Sequence, residues 1–271
     1  MDRLKQFETH ADYQQYFDSE NYLEPQVSFV VNENQFYYDN ITFSDPAVRK
    51  AVDNGVFGGT GQNVFSKKSI SKITDVWNTF VGNTDIEYFD DFDQFTGLTV
   101  LQNGPSNIKG AFYGCSNLKS IKMPKTLKSV GEYNFNGCFK LTELIFPHGL
   151  ETVKDYSIGG LSAITVDLPS TVTYIGRDNF YIKVDLKKKI PQNIIIRSTT
   201  PPTLGKNGNL GLMFSYYDGA YLWNTLAKIY VPYSSDHSIL EAYKNAAGFS
   251  TVLSGGINIL ELDENGNIPT T

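Results

Sequence analysis

Histidine and cysteine are scarce in this sequence. His10, His148 and His237 lie in three separate segments, so spacing nominates no Ser–His–Asp or Cys–His set. The only cysteines are Cys115 and Cys138. A metal site takes about four ligands, and a pair can otherwise be a disulfide or two small buried hydrophobes. Burial is the plainer reading. Cationic surplus is also missing: the net charge is −6 and the pI about 5.1, which disfavours phosphate-backbone binding and hence nucleic acid. No apolar run is long enough to cross a bilayer, so no membrane insertion is expected. The opening MDRLKQFETHADYQQYF has no apolar core of the signal-peptide kind, so no secretory signal is expected. Gly55, Gly58, Gly59 and Gly61 lack the Gly-Lys-Ser/Thr of a phosphate loop. Asp90, Asp91 and Asp93 lack the D-x-D-x-D-G string of a calcium loop. The Lys187–Lys189 run reads as a solvated edge. No cofactor, no metal and no catalytic residues are expected, and the chain is read as not an enzyme.

Aromatic residues, in contrast, are plentiful, with 17 tyrosines and 18 phenylalanines in 271 residues. That suits packed β structure and contact surfaces better than disorder. A repeat organises the middle of the chain. AFYGCSNLKSIKMPKTLKSV from Ala111, NFNGCFKLTELIFPHGLETV from Asn134 and SIGGLSAITVDLPSTVTYI from Ser157 are three copies of one pattern. Phe112, Phe135 and Ile158 recur every 23 residues, as do Gly114, Gly137 and Gly160. Cys115 and Cys138 share one position, which Leu161 takes in the third copy. Such a period is the signature of a solenoid, whose units cannot bury their apolar faces alone.

Within each unit a short strand with period two places Leu118, Ile121 and Met123 inward, with Leu144 and Phe146, then Val166 and Leu168, as counterparts. Pro124, Pro147 and Pro169 end the strands. Phe112, Phe135, Ile158 and Phe180 plug the back. Outward on the strand face lie Ser120, Lys122, Glu143, Ile145, Thr165 and Asp167. Their mixed, unit-to-unit variable chemistry suits a solvated face and equally a tuned binding face; they are the candidate binding residues. Upstream, Tyr13, Tyr16 and Phe17 fall on one face of a short helix, and VSFVV and QFYYDN flank a polar turn as a hairpin. The aromatic set Tyr13, Tyr16, Phe17, Phe29, Phe36 and Tyr37 is a candidate docking stripe, or an ordinary core. DPAVRKAVDNGVF predicts a helix capped by Ser44 or Asp45 with Pro46 in its first turn. Ser69–Thr74 returns to an alternating pattern. Leu98 and Leu101 read as a truncated first repeat matching Leu118 and Ile121.

The A-F-x-x-C-x-x-L-x-x-I-x-x-P-x-x-L-x-x-V pattern resembles the BspA-like leucine-rich repeats of bacterial surface proteins, from about Gly97 to Thr203. NIIIRSTTPPTL resembles the segment that ends such arrays, and LAKIYVPYSSDHSILEAYKNAAGFSTV the closing cap, a strand followed by a helix carrying Tyr243. The preceding DPAVRKAVDNGVF to FDDFDQFTGLTVL resembles a module that carries an EF-hand-like loop in relatives; its acidic ligand string is absent here. The opening helix and hairpin resemble the N-terminal segment of structural proteins from phages of Bacteroides-type gut bacteria, the crAss-like group among them.

The expected fold class is α+β: a helix–hairpin and a small mixed module, then a short solenoid of parallel strands with a C-terminal αβ cap. The division is 1–40 docking helix–hairpin, 41–95 degenerate EF-hand-like module, 96–204 leucine-rich-repeat solenoid and 205–271 cap. These resemblances imply a non-enzymatic phage virion protein, associated with capsid, tail or fibre and assembled in the host cytoplasm. Its partners would be other virion structural proteins and a host surface glycan or protein, with a homotrimer as the expected oligomer. The alternatives are a cell-surface or secreted adhesin and an intracellular protein-binding scaffold.

Overall fold

The computed structural model describes residues 40–61, 64–103, 110–161, 165–181, 191–205, 215–217 and 221–270. The docking stripe, from Tyr13 to Tyr37, and Lys187–Lys189 lie outside the described residues.

Strand β1 (Asn40–Ile41) pairs antiparallel with β2 (Phe65–Ser66), with helix α1 (Pro46–Val56) between them in sequence. Asp45 is the cap of α1. Its Oδ1 accepts the Ala47 N–H at 2.8 Å, and Pro46 opens the helix, where a missing N–H costs nothing. The apolar face of α1, Val48, Ala51 and Val52, is buried. Asp53, also buried, accepts from Thr60 Oγ1 at 2.9 Å and from the Gly61 N–H at 2.8 Å. The glycine-rich loop is therefore wrapped around a carboxylate. Ser69–Thr74 does not form a strand. Ser66 Oγ accepts the Ser69 N–H at 3.0 Å and starts helix α2 (Lys67–Ser71), whose Ile70 is buried. A local cap outweighs a weak alternation.

From here the chain alternates between two parallel sheets. On one side β3 (Tyr88–Phe89) pairs in parallel with β5 (Ser120–Ile121) as a two-stranded sheet; β4 (Val100–Leu101) belongs to the other side. Continuing along the chain are β6 (Ser129–Val130), β7 (Glu143–Ile145), β8 (Thr152–Val153), β9 (Thr165–Leu168), β10 (Tyr174–Ile175), β11 (Gln192–Ile196) and β12 (Thr203–Leu204). Even-numbered strands pair in the order β12-β10-β8-β6-β4. Odd-numbered β7, β9 and β11 form a second five-stranded sheet with β15 (Ala227–Val231) and β16 (Asn258–Glu261), in the order β16-β15-β11-β9-β7. Strand β5 lies against β7 without ladder pairing. Each repeat thus gives one strand to each sheet. Strands β13 (Ser215–Tyr217) and β14 (Tyr221–Trp223) form a separate hairpin.

The units meet along a third side through one recurring set of contacts. Phe112 is stacked between Phe80 and Phe135, with ring centroids 5.1 and 5.3 Å apart and planes within 1° and 5° of parallel. Gly82, Gly114, Gly137 and Gly160 all have positive φ, which a side chain would strain. Three of them donate their N–H to the next unit, to Tyr113, Asn136 and Tyr181 carbonyls respectively for Gly82, Gly114 and Gly160. Both thiols point back: Cys115 Sγ donates to the Phe80 carbonyl at 3.0 Å and Cys138 Sγ to that of Phe112 at 3.2 Å. Both cysteines are free and buried, and burial pushes the Cys115 thiol up to about 12. They are buried, as two small hydrophobes at one repeat position would be, and in addition each donates to a backbone carbonyl of the unit before.

These contacts reach further upstream than the three visible copies. Phe80, Gly82, Ile86 and Phe89 occupy the places of Phe112, Gly114, Leu118 and Ile121. The Phe89↔Ile121 register of β3 and β5 fixes the alignment. The reading of Leu98 and Leu101 as counterparts of Leu118 and Ile121 is corrected accordingly. Leu101 pairs with Val130, and the Leu98 carbonyl is held by Thr126 Oγ1 at 2.6 Å. A 3-10 turn over Asp90–Gln94 lengthens this unit and shifts its phase. The acidic residues of that turn are used as hydrogen-bond acceptors: Asp90 for Ser120 Oγ, Asp91 for the Ser44 N–H and Oγ at 3.0 Å, and Asp93 for Gln94 Nε2 at 2.6 Å.

Downstream, β15 leads through a turn to α3 (Ser238–Asn245) and α4 (Phe249–Ser254), then β16. Tyr243 is fully buried, donates its hydroxyl to the Ser198 carbonyl at 2.8 Å and meets Phe249 edge-on. One continuous apolar core runs from Ile41 to Ile259.

Candidate binding face

The six outward positions come from β5, β7, β9 and the residue after β5. In the β7–β9–β11–β15–β16 sheet, registered neighbours fall into two rows: Glu143, Thr165, Asn193, Lys228 and Asn258, then Ile145, Asp167, Ile195, Tyr230 and Leu260. Inward neighbours such as Leu144, Val166 and Ile194 are fully buried, so the alternation that defines this face is obeyed.

The face is divided into two parts. Toward the C-terminal end, Ile195 and Tyr230 are buried although they point outward, because Leu262 and Ile268 of the chain's last segment pack on them. Arg197 fastens that cover. Its guanidinium makes two bonds of 2.7 Å to the Asp167 carboxylate, while Nη1 donates to the Gly266 carbonyl at 3.2 Å. The Asp167 contact holds the Arg197 pKa above its ordinary value. Asp263 closes the following turn by accepting the Asn265 and Asn267 N–H groups. Asp167 is thus committed to an internal fork, and Ser120 is committed to Asp90.

The remaining four lie on the uncovered part. Lys122, Glu143 and Ile145 are exposed and Thr165 is half-buried. Ile145 is 53% exposed, and among the described residues it is the most exposed of the large aliphatic side chains. It has Glu143 on its own strand and Asp167 across the ladder. At the upstream margin, Tyr88 of β3 is also exposed and has the Lys119 ammonium 5.1 Å from its ring centroid, with Lys119 bonded to Glu87 at 2.5 Å. The uncovered part therefore has an apolar centre rimmed by side chains of both signs of charge. Sequence reasoning found Ile145 by alternation. It missed Tyr88, whose strand belongs to a unit with an altered period, and the covering by the last segment, which no local pattern encodes.

Among the described residues no group of three or more His, Cys, Asp or Glu side chains is arranged to hold a metal, and no helix is long and apolar enough to span a membrane. A search of the curated proteins found no match to the chain. Residues 106–199 match the BspA type leucine rich repeat region, in six copies, so the stretch that carries all six candidate residues is a BspA-type leucine-rich-repeat region.

Proposed function

We propose that this chain is a non-enzymatic recognition protein, in which a leucine-rich-repeat solenoid presents the uncovered half of its strand face to a protein partner. The observation that carries the reading is the contrast across one sheet. The same face is sealed by the chain's own last segment at Ile195 and Tyr230, yet left open around Ile145. Leaving a large aliphatic side chain in water forgoes roughly 1.5–3 kcal/mol of burial, which a partner surface would recover. The BspA-type repeats support an adhesin-like or protein-binding role.

In its finer form the reading is a phage virion component. Residues 1–40 dock on other virion structural proteins, the repeats face the host surface or a neighbouring subunit, and the assembled form is a homotrimer. It rests on the resemblance of the opening helix and hairpin. Deleting residues 1–40 tests it: the remainder folds and no longer enters particles, and normal incorporation of the truncation overturns it. The cell-surface adhesin is the second reading, favoured by the repeat family itself, and recovery of the chain on intact cells would select it. For the binding face, Ile145→Arg is expected to abolish partner capture with the circular-dichroism spectrum unchanged.

A further inference from the structure

A second, separate site lies away from the strand face. Helix α1 and the turn Trp77–Asp85 enclose an open groove of about 660 Å³, in the size range of small-ligand sites. Its lining is unusual for this aromatic-rich chain. Three side-chain amides (Asn54, Asn78, Asn83) and two hydroxyls (Thr79, Thr84) surround a single aromatic ring, Trp77. Trp77 is 52% exposed.

The ring is held out by a rigid support. Trp77 has φ of 25°, a conformation that a bulky residue adopts only under constraint. The constraint is visible: Asp75 Oδ1 accepts the Trp77 N–H at 2.8 Å, while Val76 on one side and Phe80 on the other are buried in the core. The rest of the turn is pinned to the next repeat. Gly82 donates its N–H to the Tyr113 carbonyl at 2.7 Å, and Asn117 Nδ2 donates to the Thr84 carbonyl at 2.7 Å. From the other wall, Gly55 lets α1 come close enough that a Cβ there would stand 2.8 Å from Thr79 Cγ2.

We propose that this groove binds a neutral pyranose sugar, with Trp77 as the stacking platform. A pyranose presents one face of C–H groups and a rim of hydroxyls, each both donor and acceptor. An indole face matches the first, and side-chain amides and hydroxyls, which also donate and accept, match the second. The charged groups at the groove are one cation, Lys50, and one anion, Asp85, so the lining has no net charge to favour an ionic ligand. The pre-set ring and pinned turn lower the ordering cost of binding.

The test uses the full chain and ligand-observed saturation-transfer NMR with methyl pyranosides of glucose, galactose, mannose and N-acetylglucosamine. Transfer to at least one of them is expected, at least tenfold weaker in Trp77→Ala and reduced in Asn54→Ala and Asn78→Ala, all three with unchanged circular dichroism. Ile145→Arg on the strand face should leave it intact, so the two sites fail separately. No transfer to any of the four sugars overturns the proposal, as does transfer undiminished in Trp77→Ala or competed away by acidic sugars alone.

Discussion

The side chain of Asn134 reaches back across the repeat boundary to Ala111, its Oδ1 accepting the Ala111 N–H at 2.9 Å. Its Nδ2 also faces the Leu101 and Gln102 carbonyls at 3.3 Å. Asn179 repeats the arrangement toward Ile158 and the Lys154 and Gly176 carbonyls. At the intervening position stands Ser157, too short to do this. Its Oγ is buried without a hydrogen-bond partner among the described residues. Asn134→Ala should therefore destabilise the chain by about 2–3 kcal/mol, since it strands buried backbone groups. Ser157→Ala should cost less than about 0.5 kcal/mol or be mildly stabilising. Urea denaturation of the two variants checks the contrast.

Phe112 has a ring on each side, from the unit before and the unit after. Phe112→Ala opens a cavity at a joint between units, and the expected loss is about 3–5 kcal/mol. Because each unit relies on its neighbours, the variant should also show a broadened, less cooperative unfolding transition, measurable by following two probes at once.

The thiols give a pH dependence with a definite sign. Burial raises Cys115 from the ordinary 9.0 to about 12 and drives Cys138 the same way. A group whose folded pKa is raised contributes stability below its unfolded pKa, and that contribution is lost as pH climbs from about 9 toward 12. Stability should fall through this window, and less so in Cys115→Ala relative to its own value at neutral pH. At pH 8 iodoacetamide should label neither cysteine until denaturant is added, after which both react; rapid native labelling would contradict the burial.

Arg197 ties the last segment to the strand face through Asp167 and Gly266. Removing it should loosen the cover more than it weakens the fold. Arg197→Ala is expected to cost about 1 kcal/mol, because the guanidinium is partly solvated. Hydrogen exchange over residues 263–270 should quicken, and dye binding to the uncovered Ile195 and Tyr230 should appear.

What the sequence discloses and what it conceals divide along physical lines. Positions that must stack, such as Phe112, Gly114 and Leu118, recur at fixed spacing because each meets its own copy in the next unit, and so they are legible. The unit beginning at Phe80 keeps the phenylalanine and the glycine but carries Asn83 where the cysteine stands and a 3-10 turn that shifts everything after it. Counting from Leu98 therefore lands on the wrong strand. The Asp90, Asp91 and Asp93 run invites a metal reading because the true partners of Asp90 and Asp91, Ser120 and Ser44, are far away in sequence. Asp45 shows the same limit: its role as cap of α1 is local and readable, whereas its second oxygen, which accepts the Glu87 and Tyr88 N–H groups, is not. Ile145 follows from alternation alone. The groove at Trp77 does not, because its polar wall is assembled from two segments.

The direction of the contacts between units has a consequence for how such a chain can change. Gly82, Gly114 and Gly160 donate forward while Cys115 and Cys138 donate backward, so the joints they make are completed by half of one unit and half of the next. A duplicated 23-residue segment inserted in phase would bring one complete joint with it and leave both original ends satisfied. The spacing between the Trp77 groove and the closing helices is therefore adjustable in whole steps, and the reach of the molecule can vary while its two ends stay fixed.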